Sequence, residues 1–167
     1  KVSAYMKELH MIEPGEKVIV GLSGGAASVC LFRVLLALRQ EFSFSLEALH
    51  VNHMLRETAV RDEEFVRELC KKHGVVLHSF REDVSGRASA EKLSLEEAGR
   101  KVRYERFSET ASSRGAGKIA VAHHMDDQAE TMLFRLCRGT GVEGFGGILP
   151  VRGNIIRPLL CAQRREM

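Results

Sequence analysis

Three short segments carry side chains whose types and spacing suit phosphate and amine chemistry. The first, Ser23-Gly24-Gly25-Ala26-Ala27-Ser28, lies between the apolar run Lys17-Val18-Ile19-Val20-Gly21-Leu22 and a helical stretch holding Val29, Leu31, Phe32, Leu35, Leu36 and Leu38. Glycines let a backbone approach a ligand closely. The free N–H groups and positive dipole end of a first helical turn then face an anion. With the hydroxyls of Ser23 and Ser28 added, the segment suits phosphate or pyrophosphate. It lacks the lysine of a GxxxxGK P-loop, which disfavours an ordinary kinase or GTPase. The second segment, His50-Val51-Asn52-His53-Met54-Leu55-Arg56, follows a β-rich run. Its His53 and Arg56 suit phosphates or base edges, although histidines often simply cap strands. The third is Ala122-His123-His124-Met125-Asp126-Asp127-Gln128-Ala129-Glu130-Thr131. On a helix Asp126 and Glu130, and Asp127 and Glu130, share a face. Such carboxylates are costly together unless they hold a cation, here Mg²⁺ or an ammonium group. A transition-metal site is disfavoured, because no thiolate is near and a helix would splay the ligands.

Two further features need separating from these. Gly139-Thr140-Gly141-Val142-Glu143-Gly144 matches GxGxxG. It follows a predicted helix instead of a strand, so the dinucleotide context is missing and a flexible loop over a nucleotide fits better. Basic residues gather mid-chain (Arg100, Lys101, Arg103, Arg106) and again from residue 135 onward, where six arginines face only Glu143 and Glu166. Such patches suit nucleotides or a phosphate backbone, or else a solvated helix face.

The elements that must position these residues alternate. A short amphipathic helix over residues 1–13 stops at Pro14-Gly15. A strand (17–22), the glycine turn and a helix follow. Then come a strand at 46–51, a helix from Thr58 to His73 closed by Gly74, and a strand at 75–80. The polar stretch 81–93 reads as a mobile loop. Ser94 to Arg114 reads as a helix with Ser94 and Glu97 spaced as a capping box. A strand at 118–122, a helix at 126–138, a glycine-rich loop at 139–147 and a last strand at 154–160 complete the chain. This pattern predicts an α/β fold: a parallel twisted sheet with helices on both faces. Ligands in such sheets sit at the carboxyl ends of the strands, so loops 23–28, 52–57 and 123–127 should converge on one cleft.

The 167 residues, 44% hydrophobic and 28% charged, suit one domain with a real core. No apolar run approaches the ~20 residues of a membrane span, and no secretory signal is legible, so the default compartment is the cytoplasm. Cys30, Cys70, Cys137 and Cys161 form no CxxC pair. They are expected to be reduced, mostly buried and structural, which disfavours a zinc site or disulfide framework.

The glycine loop resembles the SGGxDS PP-loop of the N-type ATP pyrophosphatases, which split ATP between its α and β phosphates. Position 27 departs from that pattern, holding Ala27 where the family has Asp. The later motifs narrow the resemblance. HVNHMLR at the strand end, EEAGRKVRY at 96–104, AHHMDDQAETMLFRLCRGTG at 122–141 and RPLL at 157–160 are similar, in order and spacing, to the tRNA(Ile)-lysidine synthetase family. The resemblance covers nearly the whole chain. It implies a Rossmann-like PP-loop domain over 1–167, without the C-terminal tRNA-gripping domains of the family. It implies ATP-dependent conversion of the wobble cytidine of a CAU-anticodon tRNA(Ile) to lysidine, with ATP, Mg²⁺, tRNA(Ile) and free L-lysine as participants and a homodimer left open.

By the same resemblance, position 27, His123, Asp126 and Asp127 serve the chemistry. Ser23, Gly24, Gly25, Ala26, Ser28, His53, Arg56 and Arg100 bind ATP. Asp126, Asp127 and Glu130 hold the lysine, with Asp127 also a metal ligand. Arg103, Arg138 and Arg157 meet the tRNA. The base that deprotonates lysine stays open between a carboxylate and His123. Ala27 implies impaired activity. Three alternatives stand beside this reading: a tRNA cytidine thiolase, disfavoured by the scattered cysteines; a catalytically silent ATP-binding module; and a small-molecule adenylating ligase.

Overall fold

The computed structural model describes residues 1–55, 59–139 and 146–167. Helix α1 (Val2–Glu8) leads to strand β1 (Lys17–Gly21), helix α2 (Ala26–Leu38), strand β2 (Ser45–Asn52), helix α3 (Ala59–Lys72) and strand β3 (Val76–Arg81). Helices α4 (Val84–Glu91) and α5 (Leu95–Arg114) follow, then β4 (Lys118–Ala120), α6 (Met125–Cys137), β5 (Val151–Arg152) and β6 (Ile155–Ile156). The six strands form one sheet in the order β3-β2-β1-β4-β6-β5. All neighbours run parallel except β5, which pairs antiparallel with β6 across a turn at Gly153. The chain moves outward from β1 to β3 and then returns across β1 to β4. The reversal leaves a crevice at the carboxyl ends of β1 and β4, where ligands bind in such sheets.

Burial on both faces explains why β1 is a continuous apolar run. Val18 and Val20 pack with Leu31, Phe32 and Leu35 of α2 and Val66 of α3, whereas Ile19 packs with Leu49, Ile119 and Phe107. Gly21 ends β1 where a Cβ would lie only 2.6 Å from the Phe107 ring. Helix α5 opens with the expected capping box, Ser94 and Glu97 each bonding the other's backbone N–H, and closes on left-handed Gly115.

The structure corrects several boundaries. Helix α1 stops at Glu8 because the chain turns through left-handed His10, which drops Met11 and Ile12 into the core. Within the expected loop 81–93 lies α4, capped by the Asp83 carboxylate at Gly86 and buried through Val84 and Ala88 against Ala98 and Val102. The expected strand at 154–160 is only Ile155–Ile156. Pro158, with no N–H to offer a ladder, instead opens a 3₁₀ turn, Pro158–Cys161. The cysteines are all free, but only Cys70 is buried; Cys137 is exposed on α6, a helix that buries no residue. Among the described residues no helix is long and apolar enough to cross a membrane.

Candidate nucleotide and substrate site

Ser23, Gly24 and Gly25 form the turn between β1 and α2. Its shape is fixed internally: Ser28 Oγ donates to the Gly25 carbonyl (2.8 Å) and accepts from the Ser23 N–H (3.2 Å), and the Gly25 N–H donates to Ser23 Oγ (3.3 Å). Gly24 sits at φ +90°, beside the first turn of α3. No described side chain caps the N-terminus of α2, so its first N–H groups face the cleft without a partner among the described residues. The cleft has a volume of about 820 Å³, a size that suits a nucleotide. From β1 and α2 come Ser23, Gly25, Ala26, Ala27 and Ser28; from the end of β2, His50, Asn52 and His53; from α5, Arg103, Tyr104 and Phe107; and after β4, His123 and His124. The three predicted loops therefore do converge. Ala27 places a methyl group on the cleft wall, in the first turn of α2. The one carboxylate on the described cleft wall is Asp62 of α3.

Behind this wall lies a polar brace. Asn52 Nδ2 donates to the Ala59 carbonyl (3.2 Å) and to Glu63 Oε2 (3.1 Å), and its Oδ1 accepts from the Met54 N–H (2.9 Å). Asn52 thus ties the end of β2 to Met54 and to the first turn of α3. Glu63 is itself buried and takes Arg81 Nε at 2.9 Å and Arg67 at 3.1 Å; these partners, Arg81 foremost, hold its carboxyl down to about 2. Nδ1 of buried His50 donates to the Leu22 carbonyl at 2.8 Å and ties the end of β2 to β1. His53 packs on Gly99 so closely that a Cβ there would lie 3.0 Å from Nδ1. Burial, then the nearby Arg103, pushes the His53 pKa down. Arg56 lies outside the described residues, as does most of the GxGxxG segment.

A second cavity of about 620 Å³ adjoins the first and is lined by Arg100, His123, Asp127, Glu130 and Arg157 among others. His123 belongs to both. The predicted acidic trio divides. Asp127 and Glu130 face this cavity, whereas Asp126 turns away, its Oδ2 accepting the Arg164 N–H at 3.0 Å. Consecutive helical residues point about 100° apart, so one cavity does not receive both aspartates. Asp127 also caps α6: its Oδ2 accepts the His124 N–H (2.8 Å) while its own N–H donates to His124 Nδ1 (3.3 Å).

Of the arginines expected to meet tRNA, Arg103 lines the first cavity and Arg138 stacks over Phe134, 4.2 Å from the ring centre, outside both cavities. Arg157 is only 4% exposed, with no surface for a polynucleotide backbone. Its Nη1 donates to the Leu149 carbonyl (2.6 Å) and its Nε to His123 Nδ1 (3.4 Å). Burial, then Arg157, holds the His123 pKa down at about 4. Arg100 lies over the Tyr104 ring at 5.0 Å.

The sequence reading did not single out Asn52, Glu63, Asp62 or Tyr104. A charged residue on the inner stripe of a helix was the available signal for Glu63. The uncapped α2 amides and serine-braced glycine turn fit a nucleotide polyphosphate. Among the described residues no three His, Cys, Asp or Glu side chains are grouped to hold a metal.

A PP-loop domain family model matches residues 1–167. The chain is 46% identical over its whole length to the tRNA(Ile)-lysidine synthases of Caldanaerobacter subterraneus and Bacteroides thetaiotaomicron, spanning 36% and 38% of those proteins. It is 39% identical to that of Petrotoga mobilis, spanning 54% of it. The chain thus covers roughly a third to a half of the curated relatives named here. Two solved structures share the fold: a U34-tRNA thiolase from Methanococcus maripaludis (TM-score 0.79, 18% identity, 99% of this chain and 60% of that one) and an ammonia-dependent NAD synthetase from Campylobacter jejuni (TM-score 0.61, 15% identity, 98% and 66%). With its glycine turn, strand order and matching family model in agreement, the chain belongs to the PP-loop family of ATP-binding domains, and in sequence it matches the N-terminal region of the tRNA(Ile)-lysidine synthases.

Proposed function

We propose that this chain is the ATP-using domain of a tRNA(Ile)-lysidine synthase, and that Ala27 slows its first step. The observation that carries the reading is the pair of cavities sharing His123, one bordered by the glycine turn and the first turn of α2 and one lined by Asp127 and Glu130. In the first step the C2 oxygen of the wobble cytosine attacks the α-phosphorus of ATP, and pyrophosphate leaves. The amides of Ala26 and Ala27 hold the phosphates as charge builds on the leaving group. Mg²⁺ bound with ATP supplies further charge neutralisation. In the second step the ε-amine of lysine attacks C2, and AMP departs with the former C2 oxygen. Asp127 and Glu130 hold the lysine ammonium groups, and Arg100 steadies the phosphate. Arg103 at the cleft mouth and exposed Arg138 meet the tRNA.

An acidic side chain at position 27 would sit beside the reacting phosphates, and alanine offers neither charge nor acceptor. Pyrophosphate release with a CAU-anticodon tRNA(Ile) transcript should rise in Ala27→Asp by roughly two orders of magnitude, the scale of a single transition-state contact, and methionine tRNA should not support it. Equal release without tRNA would point to a small-molecule ligase, and iron-dependent thiolated product would point to a thiolase.

A further inference from the structure

His123 forms the wall between the two cavities, and its role follows from what Arg157 can do chemically. A guanidinium has five N–H donors and no acceptor. Arg157 Nε points at His123 Nδ1 from 3.4 Å, while Nη1 is anchored on the Leu149 carbonyl at 2.6 Å and the backbone N–H on the Pro150 carbonyl at 2.9 Å. Nδ1 must therefore present its lone pair, and a neutral imidazole then carries its proton on Nε2. Arg157 is buried. Among the described residues no carboxylate bonds the guanidinium, and its charge beside Nδ1 opposes a second positive charge on the imidazole. Nε2 makes no hydrogen bond to a described residue, and it is not among the buried polar atoms left without a partner.

We infer that Arg157 is a positioning residue that locks His123 as a neutral Nε2–H donor between the two cavities, and that this N–H donates to an α-phosphoryl oxygen of the bound nucleotide. His123 is then not the base that takes the lysine proton, because its one lone pair is occupied by Arg157. Of the carboxylates and His123, only a carboxylate is then left to take that proton, and among the described residues Asp127 and Glu130 face the same cavity. The groups facing the imidazole are Arg157 from the segment after β6, Arg100 and Arg103 from α5, and Asp127 from α6; the three cations oppose its protonation and Asp127 favours it. The phosphoryl contact rests on the nucleotide reading above, whereas the tautomer does not.

The test is long-range ¹H–¹⁵N NMR of the chain labelled at histidine nitrogens, with AMP as the probe. His123 should show the Nε2–H tautomer at pH 7 and remain neutral well below the usual histidine range. AMP should move the Nε2–H resonance downfield as amide signals of residues 24–27 shift. Arg157→Met should produce a mixture of tautomers titrating closer to 6.5. Arg157→Lys, which keeps the charge but not the fork geometry, should keep the titration low while releasing the tautomer; it also serves if the methionine variant does not fold. An Nδ1–H tautomer or an imidazolium at pH 7 in the unmodified chain overturns the inference. So does AMP that shifts the loop amides and leaves Nε2–H unmoved. AMP that shifts neither removes the nucleotide reading, and with it the phosphoryl contact, while the tautomer result still decides the role of Arg157.

Discussion

Gly99 shows how a single absent side chain shapes the site. It lies inside α5, where glycine costs about 1 kcal/mol against alanine, yet a Cβ there would press on His53 Nδ1 at 3.0 Å. Gly99→Ala should leave the urea midpoint unchanged or slightly raised while weakening ATP binding several-fold, because His53 must swing from the cleft wall; calorimetric titration and urea unfolding on one preparation separate the two effects. Legibility in the sequence also divides residue by residue. Ser23 to Ser28 could be read directly, since a glycine turn between strand and helix needs no distant partner. Asp126 and Asp127 could not be told apart, because their roles depend on which way the first turn of α6 faces. Arg157 looked like a surface cation in a late basic segment; its burial arises because Pro158 turns the chain under the site, and a sequence does not display that turn.

Among the elements, the α5 cap was readable to the residue because Ser94 and Glu97 act within one turn. Removing it should cost about 1 kcal/mol, measured as a lower urea midpoint in Ser94→Ala with the fold retained. Helix α4 was not readable. It has only Val84 and Ala88 to bury, and its neighbours Ser85, Gly86, Arg87 and Ser89 look like loop. What stabilises it is the facing surface of α5. The junction of β1 with α5 makes a sharper prediction. A methyl group on Gly21 would meet the Phe107 ring at 2.6 Å, so Gly21→Ala should destabilise the chain by roughly 1–3 kcal/mol through overpacking. Gly21→Ala with Phe107→Leu should recover part of that loss in the same unfolding assay.

For the molecule as a whole, acid sensitivity should come in two windows. Burial holds the His123 pKa at about 4 against an ordinary 6.5. The unfolded chain takes up that proton first, so stability present above pH 6.5 declines as pH falls toward 4. Glu47, clasped by Arg114 at 3.1 Å, His78 at 2.7 Å and Lys17 at 3.2 Å, is held at about 2, as is Glu63, against an ordinary 4.5. Their contribution is complete above pH 4.5 and is lost as pH falls toward 2. Urea midpoints measured from pH 8 to 3 should therefore fall in two stages. Glu47→Gln should lower the midpoint at pH 7 and flatten the second stage, whereas His123→Asn should flatten the first. The sheet was legible at this scale because strand and helix patterns alternate cleanly. The strand order was not, since nothing local says that β4 returns to the far side of β1.

That return crossing has a consequence for how the protein acquires its binding capacity. The cleft draws on residues 23–28, on His50 to His53 and on His123, and the last of these reaches it only after β4 has docked beside β1. A chain emerging in order from N to C terminus would have its phosphate cradle nearly complete while the opposite wall is still unmade. Nucleotide affinity is then a late, all-or-none property, and ligand added during refolding should raise the final yield by mass action without hastening the early formation of the β1–β2–β3 half.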